Sequence, residues 1–165
     1  MDGLSEFKRI YNVCDPTRIE RELESIDKSN NNALMDLLVR SCYECSIDTV
    51  LRIGHLVKDV NDPDPHGWTV MVAICSGNGK RLDLLKAFVE EFQPDVNVPN
   101  AGGATPILLA AGNSNWEMVD YLLSQGADPT IEDECGDCAN DYIEEYREEE
   151  YNTSHTNNAS YAYDA

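Results

Sequence analysis

The chain has 165 residues, of which 42% are hydrophobic, and it carries a formal net charge of −19. This length suits one compact domain or one short repeat array, and no stretch approaches the roughly 18 consecutive apolar residues of a membrane span. A protein this negative repels phosphate backbones and anionic membranes. We therefore expect a soluble protein that binds neither nucleic acid nor membranes directly.

The charge is unevenly distributed along the chain. Residues 1–86 hold 11 basic residues against 14 acidic ones, whereas residues 87–165 hold one basic residue, Arg147, against 17 acidic ones. Surfaces that are merely soluble mix charges of both signs, and a surface of one sign favours capture of an oppositely charged partner. The C-terminal half therefore predicts a partner with a basic surface.

Six cysteines occur in the chain, and its N-terminal segment has no uninterrupted apolar run of the kind that directs secretion. Outside the secretory route, thiols stay reduced rather than pairing as disulfides. We therefore expect reduced cysteines and a location in the cytoplasm, with the nucleus as a second compartment.

A helix is predicted to begin after Asp15. Aspartate is a preferred N-cap residue, and proline suits the first helical position, which Pro16 occupies. Apolar residues then follow at the helical spacings of four and three, at Ile19, Leu23 and Ile26. A shorter helix is predicted before it, around Phe7, Ile10 and Tyr11. We expect residues 1–32 to form an N-terminal helical cap.

A repeated segment follows this cap. The stretch 67–75 (GWTVMVAIC) recurs as 103–111 (GATPILLAA), which places Thr69 and Thr105 at equivalent points. The segments that end each unit recur as well, at 59–61 (DVN), 95–97 (DVN) and 128–130 (DPT). The units thus recur every 33–36 residues. A period of this length indicates stacked helix pairs, because one pair cannot bury its apolar face alone.

The third unit carries the most complete pattern, which consists of 103–111 (GATPILLAA), 117–123 (EMVDYLL) and 126–128 (GAD). This pattern resembles the ankyrin repeat. The resemblance implies an all-α ankyrin-repeat solenoid of stacked helix pairs with short β-hairpin-like fingers. Its register places a degenerate repeat at 33–65 and further repeats at 66–101 and 102–134. Thr69 and Thr105 are expected to be N-caps of the first helix of their repeats. Small or slim residues are expected where the two helices of a repeat approach closely, at Ser41, Cys42, Ile74, Cys75, Ala110 and Ala111.

The remaining residues are predicted to cap the solenoid. Residues 135–151 should form a charged C-terminal capping helix with Ile143 facing inward. The segment 152–165 is polar and lacks periodicity, so we expect a disordered tail.

Two CxxC motifs, Cys42 with Cys45 and Cys135 with Cys138, have the spacing of zinc ligands. The repeat register separates them by about 30 Å, at roughly 10 Å per packed helix. They cannot share one ion at that distance. Acidic neighbours of the second pair also disfavour the thiolate that redox chemistry needs. We therefore predict no metal site and no cofactor.

His66 lies near Asp62 and Asp64. One interpretation is functional: the arrangement matches a general base with an orienting carboxylate, or part of a metal site. The run 62–67 (DPDPHG) is also typical of a rigid turn, because proline and aspartate favour turns, and we adopt this interpretation. No P-loop, dinucleotide-binding or hydrolase motif occurs in the sequence, so no enzyme is predicted.

The resemblance also implies where a partner binds, because ankyrin repeats usually contact partners with their finger tips and the concave face of the inner helices. The contacts this implies are Asp62, Asp64, His66, Trp68, Asn100, Leu109, Asn113, Glu132, Asp133, Glu134, Asp137, Tyr142, Glu145 and Tyr146. Two of these expectations have alternatives. Trp68 could equally pack across its hairpin, and the run 144–150 (EEYREEE) could be a solvated capping face.

These observations favour a non-enzymatic interaction module, monomeric when free. It is expected to bind or escort a basic protein, such as a ribosomal or other nucleic-acid-binding protein, through its concave face and acidic C-terminal half. The alternative is a regulatory inhibitor of a kinase or transcription factor, as in other ankyrin proteins. That alternative predicts a complex that rests on Trp68, Leu109 and finger residues and depends little on salt.

Overall fold

A computed structural model of the chain describes residues 15–77 and 81–159, with side chains described up to residue 149. The helix predicted around Phe7, Ile10 and Tyr11 lies outside the described residues. In the described part, the secondary structure is helical and contains no strand. The helices are α1 Pro16–Ser25, α2 Asn31–Glu44, α3 Ile47–Gly54, α4 Val70–Ser76, α5 Leu82–Phe92, α6 Pro106–Gly112, α7 Trp116–Ser124 and α8 Ala139–Ala159.

The helices pack in two rows. One row runs α2, α4, α6 and α8, and each of these inner helices packs against the next. The outer row runs α3, α5 and α7, and each outer helix also packs against the inner helix that precedes it. Helix α1 packs on α2 and is tied to α3 as well, because the Thr49 hydroxyl donates to the Glu20 carboxylate at 2.6 Å. The predicted all-α solenoid of stacked helix pairs is confirmed.

Two inner helices, α4 and α6, begin where the sequence predicts. Thr105 is the N-cap of α6, its hydroxyl accepts the N–H of Leu108 at 3.4 Å, and Pro106 follows at the first helical position. Thr69 is the N-cap of α4, but its buried hydroxyl makes no hydrogen bond within the described part of the chain. The same threonine position therefore has two local environments.

Small or slim side chains are buried where the repeat register predicts close approach of two helices. They are all fully buried, with 0–2% of their surface exposed: Ser41, Cys42, Ile74, Cys75, Ala110 and Ala111. Larger apolar residues belong to the same core, among them Phe88, whose ring centroid lies 4.7 Å from that of Phe92. One continuous core results, as expected for stacked repeats.

Helix α8 differs from its predicted bounds. The sequence predicts that it ends at residue 151, whereas in the structure it continues to Ala159. The segment 139–159 contains neither glycine nor proline, so no residue in it interrupts the backbone hydrogen bonds. At a rise of about 1.5 Å per residue, α8 is roughly three times as long as α6 and extends past the helix that supports it.

Candidate partner-binding surface

The three fingers are the turns that precede α4, α6 and α8, at 62–68, 98–104 and 132–137. Each finger is closed by an aspartate or asparagine at the same repeat position. In the first finger the Asp64 Oδ1 atom accepts the backbone N–H groups of His66 and Trp68, both at 2.9 Å. Asn100 makes the same pair of bonds in the second finger, and Asp133 makes it in the third, at 2.8–3.0 Å. The backbone of each finger also closes as a hairpin, with the N–H of Asp64 bonded to the carbonyl of Trp68 at 2.8 Å.

This turn chemistry changes the assignment of three predicted contact residues. One side-chain oxygen each of Asp64, Asn100 and Asp133 is already used to hold its finger. Asp64 is only 4% exposed, and burial raises the pKa of its carboxyl group despite the hydrogen bonds that it accepts. Burial therefore removes Asp64 from the surface that a partner could touch.

The fingers are tied to one another in a row. The N–H of Ala101 donates to the carbonyl of Gly67 at 2.8 Å, and the N–H of Glu134 donates to the carbonyl of Gly102 at 3.1 Å. These bonds place the second and third finger tips against their predecessors. A partner would therefore meet a connected ridge rather than three independent loops.

Trp68 is buried, with 5% of its surface exposed, and it belongs to the hydrophobic core. Of the two alternatives for this residue, the structure corresponds to packing and not to an exposed recognition anchor. The reason is its place at the base of the finger, where Asp64 holds its N–H and the chain turns into α4.

The side chain of His66 approaches helix α2. Its imidazole Nε2 atom lies 3.9 Å from the Asp36 carboxylate on α2. Within the described residues, no three histidine, cysteine or acidic side chains converge as metal ligands would. His66 and Asp62 are both exposed, so they remain available on the first finger.

The concave face combines open and occupied positions. Leu109 is half-buried, whereas Glu145 is exposed. Tyr142 is the only exposed large hydrophobic residue among the described residues, with 37% of its surface accessible. The Asn113 amide instead donates to the carbonyls of Cys75 and Ser76 at 3.3–3.4 Å, at the C-terminal end of α4. Asn113 therefore has a structural role that its sequence position did not indicate.

Tyr146 also has an intramolecular role. Its ring stacks on that of Trp116, the first residue of α7, with centroids 4.1 Å apart and planes 21° from parallel. This stacking contact joins α8 to α7, the outer helix of the last repeat. Sequence reasoning missed Trp116, although an aromatic residue at the start of an outer helix was a signal that could have suggested such a contact.

Arg81 is a second residue that sequence reasoning missed. Its guanidinium group donates to the carbonyls of Cys42 and Cys45 at 2.7 and 2.6 Å, where α2 ends. A cation suits this place because the last carbonyls of a helix carry partial negative charge. No sequence pattern links Arg81 to α2, because the two contacts span 39 and 36 residues, a full repeat or more.

Exposed carboxylates dominate the third finger and the described part of α8. The finger contributes Glu132, Glu134 and Asp137, and the helix contributes Asp141, Glu144, Glu145, Glu148 and Glu149. Between residues 87 and 149 the only basic residue is Arg147. We call this set, together with Tyr142, the acidic face.

The cysteines differ in accessibility. Burial raises the pKa of Cys75 to about 12, and burial with the nearby Glu20 carboxylate raises that of Cys45 to about 11, whereas Cys135 is exposed. Cys42 lies in α2 and Cys45 is its C-cap, whereas Cys135 and Cys138 precede α8, with α4 and α6 between the two pairs. The two CxxC motifs therefore belong to opposite ends of the stack.

This difference predicts selective alkylation. Because the thiolate is the reacting species, iodoacetamide near neutral pH should modify Cys135 in the folded protein and leave Cys45 and Cys75 unmodified until the chain is unfolded. Mass spectrometry of the proteolysed protein measures the modification at each cysteine. Equal rates at Cys75 and Cys135 would contradict the packing described above.

The chain matches the family model described as ankyrin repeats in three copies, over residues 25–133. It is 35% identical over 103 residues to BCL-6 corepressor-like protein 1 of Homo sapiens, and 33% identical over 104 residues to ankyrin repeat and SAM domain-containing protein 6 of Rattus norvegicus. It is 39% identical over 62 residues to an ankyrin repeat protein of Rickettsia felis.

These alignments cover 62%, 56% and 32% of this chain, and 6%, 11% and 41% of the respective relatives. The chain thus spans less than half the length of each relative. The similarity concerns the repeat region. Separately, none of the helices within residues 15–77 and 81–159 combines the length and apolar content required to cross a bilayer.

Proposed function

The chain belongs to the ankyrin-repeat family, whose repeats bind other proteins, and from this premise we propose that it binds and escorts a basic protein through the acidic face. The concave residues next to that face, Leu109 among them, complete the contact. The protein acts by binding and not by catalysis, and it is a monomer until it meets its partner.

The observation that carries this proposal is the single sign of charge on the acidic face. Eight exposed carboxylates of the third finger and α8 stand beside one cation, Arg147. Such a field accelerates the encounter with a basic surface and opposes acidic partners, including a second copy of this chain.

Tyr142 supplies the apolar part of the contact. It lies on α8 among the carboxylates and is 37% exposed. A tyrosine ring attracts the guanidinium group of arginine through its π-face. An arginine-rich segment would therefore find both a ring and counter-charges on one helix.

The alternative of a kinase or transcription-factor inhibitor receives less support. It rests on Trp68, Leu109 and finger residues, and of the two apolar anchors Trp68 is buried and Leu109 is half-buried. The exposed finger residues Asp62, His66 and Glu132 are polar. A contact built from such residues should depend on salt, unlike the complex that the alternative predicts.

Neutralising the acidic face tests the proposal. A variant with Glu132, Glu134, Glu145 and Glu148 changed to glutamine should bind the basic partner about tenfold more weakly or worse, at roughly 0.3–1 kcal/mol per exposed charge. The partner is first obtained by affinity purification from native cells and mass spectrometry. Its affinity is then measured by isothermal titration calorimetry at increasing sodium chloride.

The matched control removes four other exposed carboxylates, with Glu24, Glu44 and Glu117 changed to glutamine and Asp120 to asparagine. It has the same net charge as the test variant but keeps the acidic face. We expect it to bind with nearly wild-type affinity. Equal weakening in both variants would show a general charge effect, and no weakening in the test variant would refute the proposal.

A further inference from the structure

A groove lies in the outer row, between helices α5 and α7. Its volume is about 560 Å³, within the range of clefts that take a ligand or a peptide side chain. It is lined by Val89, Glu90, Gln93, Pro94, Val96, Tyr121 and Gln125. None of these residues belongs to the acidic face.

The lining has two chemical parts. Val89, Pro94 and Val96 are buried and form an apolar floor, whereas Glu90, Gln93 and Gln125 are exposed at the rim. Tyr121 is half-buried between them. Primary amides such as those of Gln93 and Gln125 can both donate to and accept from a peptide backbone. The groove thus suits an extended segment with one apolar side chain.

Gln93 is the unusual residue of this groove. It has φ 48° and ψ 51°, in the left-handed region, which side chains with a Cβ atom adopt at a cost. Counted back from Asp95 and Asp128, Gln93 stands at the repeat position where the next repeat has Gly126, with φ 90°. The second repeat therefore retains a side chain where the third has none, and that side chain lines the groove.

The charge of the groove indicates which segment it would accept. Glu90 is its only charged lining residue, and burial together with the Glu90 carboxylate raises the pKa of Tyr121. The ammonium group of Lys86 lies 5.6 Å from the centroid of the Tyr121 ring, so that ring is already in contact with a cation. A basic side chain of the bound segment would instead pair with the exposed Glu90 carboxylate at the rim.

We propose that this groove is a second binding site, which takes an extended segment of a protein partner with an apolar side chain flanked by basic residues. A second copy of this chain is disfavoured as the occupant, because each copy carries a net charge of −19. The site is independent of the acidic face and does not rest on the function proposed for it.

A pair of peptides tests the site in the full-length chain. The probe is Ac-Gly-Arg-Leu-Arg-Gly-NH₂ and the control is Ac-Gly-Glu-Leu-Glu-Gly-NH₂, each titrated into ¹⁵N-labelled protein. We expect the basic peptide to cause saturable shifts of the amide signals of Val89, Gln93 and Gln125, and the acidic peptide to bind at least about tenfold more weakly. Absence of saturable shifts at these residues would overturn the proposal.

The variant Gln93→Gly separates a binding role from a structural one. Because it relieves the left-handed strain while making the unfolded chain more flexible, its Tm should equal or exceed that of the wild type, by at most about 4 °C. Its affinity for the basic peptide should nevertheless fall about fivefold or more, as measured by the same titration. Wild-type affinity in this stable variant would refute a role for the side chain.

The variant with glutamine at 132, 134, 145 and 148 distinguishes the two sites. It should bind the basic peptide in the groove with wild-type affinity even if it no longer binds the basic protein. Shifts confined to Tyr142 and its neighbours on α8 would support the acidic face and overturn the groove. Loss of the groove shifts in this variant would contradict the independence of the two sites.

Discussion

Replacing Gly67 with alanine should lower the free energy of unfolding by about 2–4 kcal/mol. Gly67 has φ 84°, and a Cβ atom added to it would lie 2.3 Å from the Cβ atom of Ala101. The alanine would therefore suffer backbone strain and also push the first finger away from the second. The bond from the N–H of Ala101 to the carbonyl of Gly67 would be strained as well.

Gly136 provides the matched control. It occupies the same repeat position in the third finger and has φ 85°, but a Cβ atom added to it would meet nothing within 4 Å. Gly136→Ala should therefore report backbone strain alone and cost about 1 kcal/mol. Urea unfolding followed by circular dichroism measures both variants.

A rescue experiment measures how much of the destabilisation by Gly67→Ala comes from the steric clash. In the double variant Gly67→Ala with Ala101→Gly, the colliding Cβ atom is absent. Much of the extra free energy of unfolding that Gly67→Ala loses relative to Gly136→Ala should therefore be recovered. If Gly67→Ala and Gly136→Ala lowered the free energy of unfolding equally, or if the double variant recovered none of it, the first two fingers would not pack as described.

Asp64→Ala should lower the free energy of unfolding by about 2–4 kcal/mol. The substitution leaves the N–H groups of His66 and Trp68 without the acceptor that closes the first finger, and Trp68 is buried. Asp64→Asn should not have this effect. Asn100 already makes the same two bonds with a neutral amide in the second finger.

The pH dependence of the stability of Asp64→Asn separates the hydrogen-bonding role of Asp64 from the effect of its buried charge. Burial raises the pKa of Asp64 above its ordinary value of 3.8, so between that value and the raised one the folded state binds more protons than the unfolded state. The contribution of Asp64 to stability is therefore full below the ordinary pKa and is lost as the pH rises through the raised pKa. Above it, the buried carboxylate is ionised at a cost.

The asparagine variant lacks this proton-linked loss. Its free energy of unfolding relative to the wild type should rise across that pH window and then remain constant, so that at neutral pH it is at least as stable as the wild type. Denaturant unfolding of both proteins over a pH series measures this difference. A difference that stays constant at all pH values would contradict the effect of burial on Asp64.

The escort function and the groove can be evaluated separately because they use different residues. The acidic face consists of the third finger and α8, whereas the groove lies between α5 and α7. If both sites are present, one partner with two basic segments could occupy them together, and its affinity would exceed that of either contact alone.

The repeat could be predicted from the sequence because it depends on local spacing. Threonine before an inner helix, small residues at the contact between rows, and apolar residues at helical intervals each act within one unit. Thr105, Ala110 and Ala111 accordingly lie where the register places them. The acidic character of the C-terminal half is likewise a property of composition.

The availability of individual residues to a partner was decided by the tertiary structure. Asp64 and Trp68 are buried, Asn113 binds the end of α4, and Tyr146 stacks on Trp116. Each of these outcomes except that of Asp64 depends on packing between elements that are distant in the sequence. A sequence pattern specifies which helix and turn form, but the exposure of a side chain depends on what neighbouring repeats place beside it, and those contacts exist only after the units stack.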